Sequence, residues 1–194
     1  FDCWANGKKA YDFARFFNEY SERVIKFTVN RGKNNPAIIM YSIGNEIIRT
    51  SGGKYTAETA TALVSNMINT IKAIDTERMI TMGEDVPNNP IARAVMQLMD
   101  VVGVNYGNDS EYASLREAYP EFKLYGSETT SALSSRGIYA RDNVNLQCSS
   151  KDNDFVDWGD NASTALKRHM DSDYLAGMFV WTGFDYIGEP TPFN

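Results

Sequence analysis

Two apolar patterns alternate along the sequence, and this alternation is the strongest constraint on its fold. Residues 37–43 form an apolar run that stops at the polar pair Asn45 and Glu46, which is typical of a strand buried on both faces of a parallel sheet. Before this run, apolar side chains recur at intervals of three, four and seven residues, which predicts one face of a long helix. These side chains are Phe13, Phe16, Phe17, Tyr20, Val24 and Phe27.

The same helix-then-strand order returns along the whole chain and predicts five strands. We place them at residues 37–46, 79–83, 101–106, 122–127 and 177–186, with a long polar segment over residues 131–160. A strand–helix–strand order gives parallel strands joined by right-handed crossovers. Two α/β architectures fit this order, an open doubly wound sheet and part of a (β/α)8 barrel. In both, the chemistry lies at the carboxyl ends of the strands.

Charge and composition exclude several classes of protein. Lys and Arg number 19 against 25 Asp and Glu, a net charge of −6, whereas a non-specific nucleic-acid binder needs a basic face. No apolar run approaches the ~20 residues that span a bilayer. We therefore expect neither a nucleic acid nor a membrane as a partner. Cys3 and Cys148 are too few for a disulfide scaffold, so reduced thiols are the expectation, with a single bridge as the alternative.

The chain has one histidine, His169, which removes most metal and nucleophile chemistry. A multi-histidine metal site needs more than one, and no Gly-x-Ser-x-Gly elbow occurs to complete a Ser-His-Asp triad. Phosphate-binding glycine motifs do not occur either. We expect His169 to lie solvated on a helix over residues 162–170. An enzyme of this composition would use carboxylates for acid–base chemistry, with tyrosine as a helper.

Polar or aromatic side chains stand at the carboxyl end of every predicted strand. They are Asn45 and Glu46, Glu84 and Asp85, Asn105 and Tyr106, Ser127 and Glu128, and Trp181 with Asp185. Parallel strands end at one edge, so we expect these side chains to converge there. Cleavage of a glycosidic bond needs such paired carboxylates, one to protonate the leaving oxygen and one to attack the anomeric carbon or to activate water.

Three segments of the sequence resemble glycoside hydrolase family 2. Residues 35–46, NPAIIMYSIGNE, resemble the acid/base signature of that family, and residues 124–129, LYGSET, resemble its nucleophile segment. Residues 179–192, FVWTGFDYIGEPTP, are similar to the last barrel strand of its bacterial β-galactosidases. The motifs follow the order and spacing of the family, and the resemblance covers essentially the whole chain.

The resemblance implies an incomplete (β/α)8 TIM barrel. The five predicted strands would be barrel strands four to eight, and residues 1–194 would form part of a catalytic domain. Strands one to three and the β-sandwich domains of the family would lie before Phe1. A complete barrel takes ~250 residues. We therefore expect the isolated chain to be inactive or weakly active, and its open sheet edges to favour association, including a homo-oligomer.

The resemblance also implies a role for each of five residues. Glu46 would be the acid/base, protonated through a raised pKa, and Glu128 the nucleophile of a retaining double displacement. Asn45 would bind the sugar 2-hydroxyl, and Tyr106 would donate a hydrogen bond to Glu128. Trp181 would be the aromatic platform for the sugar. As structural alternatives, Glu46 would pair with Arg49, and Glu128 with Arg136.

Other polar residues receive smaller roles. Asp185 and Glu189 are interpreted as structural, while Glu84 and Asp85 match no motif of the family. Trp158, in the long polar segment, is a candidate for an outer sugar subsite. The chemistry requires no cofactor. Some relatives hold a divalent metal near the acid/base, and its other ligands would lie before Phe1.

A β-galactoside is the expected substrate. The last-strand segment resembles β-galactosidases, and the chain lacks the Asn-x-Lys-Gly element by which related β-glucuronidases hold the sugar carboxylate. β-Glucuronides and β-mannosides are the alternatives, because several selecting residues would lie on strands before Phe1. A non-catalytic carbohydrate-binding barrel and an unrelated doubly wound binder are further alternatives. The presence of both glutamates argues against the first, and the lack of a phosphate motif argues against the second.

Overall fold

The computed structural model of the chain describes residues 13–184, so Cys3, Asp185 and Glu189 lie outside the described residues. Within this range helices and strands alternate as the sequence predicted. The strands are β1 (Met40–Asn45), β2 (Met79–Glu84), β3 (Val102–Asn105), β4 (Leu124–Thr130) and β5 (Leu175–Trp181). The helices are α1 (Phe17–Gly32), α2 (Ile47–Thr50), α3 (Ala57–Lys72), α4 (Pro90–Met96), α5 (Asp109–Ala118) and α6 (Ala162–Asp171), and a 3₁₀ turn over Phe13–Phe16 precedes α1.

The five strands form one sheet in the order β1-β2-β3-β4-β5, and every neighbouring pair is parallel. A doubly wound sheet reverses its strand order at a switch point. Here the spatial order follows the chain order without reversal, which is the order of a (β/α)8 barrel. The structure therefore confirms the prediction of a five-strand part of a barrel.

Polar caps determine where the helices begin. The Asn108 side chain accepts from the backbone N–H of Glu111 at the start of α5, and the Glu111 carboxylate accepts from the N–H of Asn108 in return. Asn89 caps α4, whose first residue is Pro90. Such contacts satisfy N–H groups that the first helical turn leaves unpaired. No helix within residues 13–184 combines the length and the apolar character that crossing a bilayer requires.

Two apolar clusters join the helices to the sheet, one around β1, β2, α1 and α3 and the other around β3, β4 and α5. The buried face of α1 coincides only in part with the predicted one. Phe17, Ile25 and Val29 are buried, whereas Phe16 and Phe27 are 44% and 65% exposed. Helix α1 carries apolar residues on two neighbouring faces, so spacing alone could not select the face that packs on the sheet.

His169 is buried rather than solvated, which corrects the expectation from the sequence. Its Nδ1 lies 2.9 Å from the carbonyl oxygen of Ala165, and its ring meets that of Tyr112 edge-on at 5.6 Å between centroids. A Cβ on Gly126 would lie 2.6 Å from His169 Nε2. The imidazole thus fills the space between α5, α6 and a glycine of β4, a packing role that basic neighbours in the sequence did not reveal.

Glycines in the middle strands allow close approach between neighbouring strands. A Cβ on Gly103 would lie 2.7 Å from the carbonyl oxygen of Met82 and 2.8 Å from Ser127 Cβ. Both are atoms of the adjacent strands β2 and β4, and the first is backbone, which cannot rotate away. Gly103 therefore fixes the spacing of the three strands whose ends carry the candidate site.

We predict that Gly103→Ala lowers the free energy of unfolding by about 1–3 kcal/mol, because the added methyl group overpacks the sheet. The measurement is thermal and urea unfolding of the full-length protein. Gly183→Ala is the matched control, since a Cβ there meets none of the described atoms within 4 Å. Equal stability of the two variants would show that the strands can separate at no cost.

Candidate active site

The ends of β1, β3 and β4 bring the two candidate glutamates to one edge of the sheet. Asn45 is in register with Gly83, and Asn105 is in register with Glu128. The backbone pairing continues past the strands. The N–H of Glu46 donates to the carbonyl oxygen of Gly83 at 2.8 Å, and the N–H of Tyr106 donates to that of Glu128 at 2.7 Å.

Two consecutive residues at the end of β3 each contact one glutamate. Asn105 donates from Nδ2 to Glu46 Oε1 at 3.1 Å, and Tyr106 donates from Oη to Glu128 Oε2 at 3.0 Å. Since Asn105 and Tyr106 are adjacent, the two carboxylates face the same edge. The structure thus brings Glu46, Glu128, Asn45 and Tyr106 together, and their catalytic roles remain predictions.

Asn105 is a residue that sequence reasoning left without a role. Its side chain, 2% exposed, also donates to Asn45 Oδ1 at 2.8 Å and accepts from Ser127 Oγ at 2.6 Å. These contacts use both ends of the amide and fix its orientation. The sequence feature that could have indicated a role for Asn105 is its position, since it precedes Tyr106 at the carboxyl end of a strand.

Gly83 makes room for this polar layer. A Cβ on Gly83 would lie 2.7 Å from Asn105 Oδ1 and 3.0 Å from both Asn45 Oδ1 and Ser127 Oγ. Any larger residue would displace at least one of the three hydrogen-bonding side chains. The glycine in β2 is therefore a requirement of the site and not only of the strand.

Left-handed backbone conformations concentrate at the same edge. Glu46, Tyr106, Thr130 and Ser131 have φ values of 51°, 53°, 76° and 52°. Outside glycine this conformation costs roughly 1–3 kcal/mol per residue and persists where the surrounding structure holds it. Only one further non-glycine residue of this kind, Leu146, occurs within residues 13–184. Register irregularities precede Asn45 and Asn105 as well, a common feature next to functional sites.

Glu84 lies fully buried under the turn that follows Glu46. Its Oε2 accepts from the backbone N–H of Ile48 at 3.2 Å, and Oε1 has no hydrogen-bond partner among the described residues. Burial, opposed in part by the Ile48 contact and assisted by the negative charges of Asp85 and Glu46, raises the pKa of Glu84 to about 8. A neutral Glu84 can support the Glu46 turn without adding a further negative charge beside it.

Arg49 forms an ion pair with Asp85, whose carboxylate is almost completely covered. Burial and the charge of Glu46 raise the pKa of Asp85, and Arg49 opposes this shift. Arg49, the alternative partner that the sequence suggested for Glu46, thus balances the charge of Asp85.

Tyr106 remains a hydrogen-bond donor over the whole physiological pH range. Burial is the main reason that its pKa lies well above the usual tyrosine value, and the nearby charges of Glu128 and Glu46 act in the same direction. A phenol that keeps its proton can donate to Glu128 continuously.

Trp181 and the long polar segment border the same edge. Trp181 pairs in register with Thr130, whose Oγ1 donates to the Trp181 carbonyl oxygen at 3.2 Å, and the Trp181 residue is 43% exposed. Trp158 is 57% exposed, and the backbone N–H of Asp160, two residues later, donates to the Thr130 carbonyl oxygen at 2.8 Å. Both tryptophans stay candidates for sugar contacts.

The described residues do not form a divalent metal site on their own. Within residues 13–184, no group of three or more His, Cys, Asp or Glu side chains could hold a metal ion. The divalent metal that the family resemblance allows near Glu46 therefore stays a prediction.

The sequence matches the family model described as "Glycosyl hydrolases family 2, TIM barrel domain" over residues 8–145. The chain belongs to glycoside hydrolase family 2. This match agrees with the sequential parallel sheet and with the segments at residues 35–46 and 124–129 that resembled the family.

Individual family 2 proteins resemble the chain along nearly its whole length. Beta-galactosidase BoGH2A of Bacteroides ovatus is 30% identical over 236 aligned positions, which cover 100% of this chain and 28% of that protein. A family 2 member from Bacteroides cellulosilyticus has a TM-score of 0.74 at 28% identity, covering 100% of this chain and 21% of that one. A Bacteroides uniformis beta-glucuronidase shares the fold, with a TM-score of 0.66 at 19% identity, covering 89% of this chain and 22% of that one. The chain therefore spans less than a third of the length of these relatives.

We predict that Glu84 makes stability fall as pH rises. The native state holds a proton on Glu84 up to a pKa of about 8, while the unfolded chain releases it near the ordinary value of 4.5. The stabilisation is fully present below the lower pKa and is lost towards the higher one, with a slope of at most about 1.4 kcal/mol per pH unit.

Glu84→Gln tests this prediction, since the amide oxygen can still accept from Ile48 but cannot ionise. Urea unfolding of the full-length protein between pH 5 and pH 8 should show the variant gaining stability relative to the natural protein as pH increases. Glu121→Gln, at an exposed position, is the control. A constant difference between Glu84→Gln and the natural protein across this range would contradict the assignment.

Proposed function

We propose that the protein hydrolyses terminal non-reducing β-glycosides with retention of configuration, with Glu46 as acid/base and Glu128 as nucleophile. The observation that carries the proposal is the pair of hydrogen bonds from Asn105 to Glu46 and from Tyr106 to Glu128. It supports a site in which two carboxylates with different partners face one substrate. Membership of glycoside hydrolase family 2 supports glycosidase chemistry.

In the first step, the Glu128 carboxylate attacks the anomeric carbon and Glu46 transfers its proton to the departing glycosidic oxygen. The new bond joins the sugar to a Glu128 oxygen, and the bond to the leaving group breaks. Tyr106 orients the Glu128 carboxylate and stabilises its charge before the attack.

In the second step, Glu46 acts as a base, takes a proton from water and directs the hydroxide equivalent to the same anomeric carbon. The glycosyl–Glu128 bond breaks, and Glu128 returns to a carboxylate. The Asn105 amide donates to Glu46 Oε1 and so orients the carboxylate for this step.

We assign Asn45 the contact with the sugar 2-hydroxyl. Its Oδ1 accepts from Asn105, which assigns the donor group Nδ2 to the proposed contact. A hydrogen bond to the 2-hydroxyl strengthens as the sugar approaches its oxocarbenium-like transition state. Trp181, exposed on β5 beside the strand that carries Glu128, is the proposed platform for the apolar face of the ring.

The proposed substrate is a β-galactoside. BoGH2A, at 30% identity, is a β-galactosidase, which agrees with the resemblance of residues 179–192 to the last strand of such enzymes. β-Glucuronides and β-mannosides are the alternatives. A panel of aryl β-glycosides that differ only in the sugar separates these possibilities directly.

We predict that Glu128→Gln reduces kcat by at least about 10³-fold on every aryl β-glycoside, because its amide cannot form the covalent intermediate. Glu46→Gln should behave differently, since a good leaving group departs without a proton. Its loss should be small in the glycosylation step with dinitrophenyl glycosides and large with poorly activated ones. The measurement is steady-state and pre-steady-state kinetics of the full-length protein.

Glu121→Gln, on the surface, serves as the control for these variants. Near-normal turnover by Glu128→Gln would rule it out as the nucleophile, and release of the inverted anomer by the natural enzyme would overturn the retaining mechanism. Sugar binding by the unmodified protein without any turnover would favour the non-catalytic carbohydrate-binding alternative.

We further predict that the 194-residue chain alone turns over substrate at least about a hundredfold more slowly than the full-length protein. Within residues 13–184, β1 and β5 each pair with only one neighbouring strand, so the sheet is open. A barrel active site draws residues from several strands around a closed sheet. Comparable kcat/KM values for a verified 194-residue monomer and the full-length protein would contradict this prediction.

A further inference from the structure

A two-residue left-handed turn follows β4 directly after the candidate nucleophile. Thr130 and Ser131 have φ values of 76° and 52°. In the same turn, the backbone N–H of Ser131 contacts the Thr129 carbonyl oxygen at 3.2 Å, and the Ser131 carbonyl oxygen accepts from the N–H of Val156 at 3.4 Å. The backbone thus closes the turn without using the Ser131 side chain.

The Ser131 side chain points its hydroxyl at the phenol that holds Glu128. Ser131 Oγ donates to Tyr106 Oη at 3.0 Å, and Tyr106 Oη donates onward to Glu128 Oε2 at 3.0 Å. The three groups form a directed chain that ends on the carboxylate. Each donor in such a chain polarises the next and strengthens its bond.

A serine at this position carries a backbone cost that glycine would avoid. Glycine adopts positive φ freely, whereas other residues do so at a penalty and keep the conformation where the structure enforces it. Two hydrogen bonds hold the backbone of this turn in place. One joins the Asp160 N–H to the Thr130 carbonyl oxygen, and the other joins Thr130 Oγ1 to the Trp181 carbonyl oxygen. These contacts hold the Ser131 hydroxyl against Tyr106.

We propose that Ser131 is a positioning residue for the nucleophile and acts on Glu128 through Tyr106. This inference rests on the proposed function and adds to it a residue that no motif of the sequence identified. By donating into Tyr106 Oη, Ser131 makes the phenol a stronger donor and sets its direction. The Glu128 carboxylate is consequently easier to ionise and better aligned for attack.

Within residues 13–184, charged groups approach this hydrogen-bonded chain from the ends of β1 and β4 and from α6 with the loop before it. Glu46 faces Tyr106 from the end of β1 and acts to raise its pKa, as does Glu128 itself on β4. Asp160 and Arg168, an ion pair, line a small cavity together with Tyr106 and Thr130. The hydrogen bond from Ser131 acts in the opposite sense to burial and to both glutamates, since it lowers the pKa of Tyr106.

The test is the pH dependence of kcat/KM for the full-length protein with the aryl β-glycoside that it cleaves best. The acidic limb of this profile, where kcat/KM falls as the pH is lowered, reports ionisation of the nucleophile in the free enzyme. Ser131→Ala should move this limb to higher pH by about 0.2–0.5 unit and lower the maximal kcat/KM about three- to tenfold. Ser131→Thr, which restores the hydroxyl, should return the limb towards its natural position.

Ser131→Gly separates positioning from folding. Glycine relieves the left-handed strain, so this variant should melt at the same or a higher temperature while showing the same displaced limb as Ser131→Ala. Ser134→Ala, three residues along in the same loop and exposed, is the control that should leave both quantities unchanged.

A double variant shows whether Ser131 acts through Tyr106. Tyr106→Phe should displace the acidic limb further than Ser131→Ala, and adding Ser131→Ala to it should produce no additional displacement. The inference would be overturned if the two substitutions displaced the acidic limb additively. It would also be overturned if the acidic limb kept its natural position in both Ser131→Ala and Ser131→Gly. If Glu128→Gln is inactive while those limbs are natural, only this inference fails, whereas an active Glu128→Gln overturns the proposed function as well.

Discussion

The site depends on a break in the alternation of β3. In a regular strand, successive side chains point to opposite faces of the sheet, so Asn105 and Tyr106 could not both serve one edge. The left-handed backbone at Tyr106 removes this restriction while its N–H still pairs with the Glu128 carbonyl oxygen. One short strand can therefore hold two carboxylates that arrive from β1 and β4. Glu46 and Glu128 are thus each held by a side chain, and the two residues that supply these side chains, Asn105 and Tyr106, are joined by a single peptide unit.

The hydrogen-bonded side chains next to these carboxylates fit because two of the neighbouring strand positions are glycines. Asn105 is buried, where an unpaired amide would be costly, and it donates to Asn45 and accepts from Ser127. Gly83 and Gly103 leave the room that this network occupies. At its carboxyl edge the sheet therefore contains polar side chains that orient one another in place of apolar packing. The apolar clusters around the helices supply the stability.

The sequence was sufficient for the element order and for the meeting of Glu46 with Glu128, because strand ends and family-like segments mark those positions. It was insufficient where tertiary packing decides. The buried face of α1 could not be chosen between two apolar stripes, and the burial of His169 follows from contacts with α5. Ser131 lies in a segment without hydrophobic periodicity, and no neighbouring residue in the sequence predicts that a serine there adopts a left-handed backbone conformation.

The loop that follows Ser131 is fastened at its base. Leu133 donates from its N–H to the Asp154 carbonyl oxygen at 2.7 Å, and the chain returns to Thr130 and Ser131 through Asp160 and Val156. Because backbone atoms make these contacts, substitutions in the intervening residues leave the contacts beside Glu128 in place. Variation among the side chains of this loop is accordingly separated from the backbone geometry that holds Glu128 at the edge of the sheet.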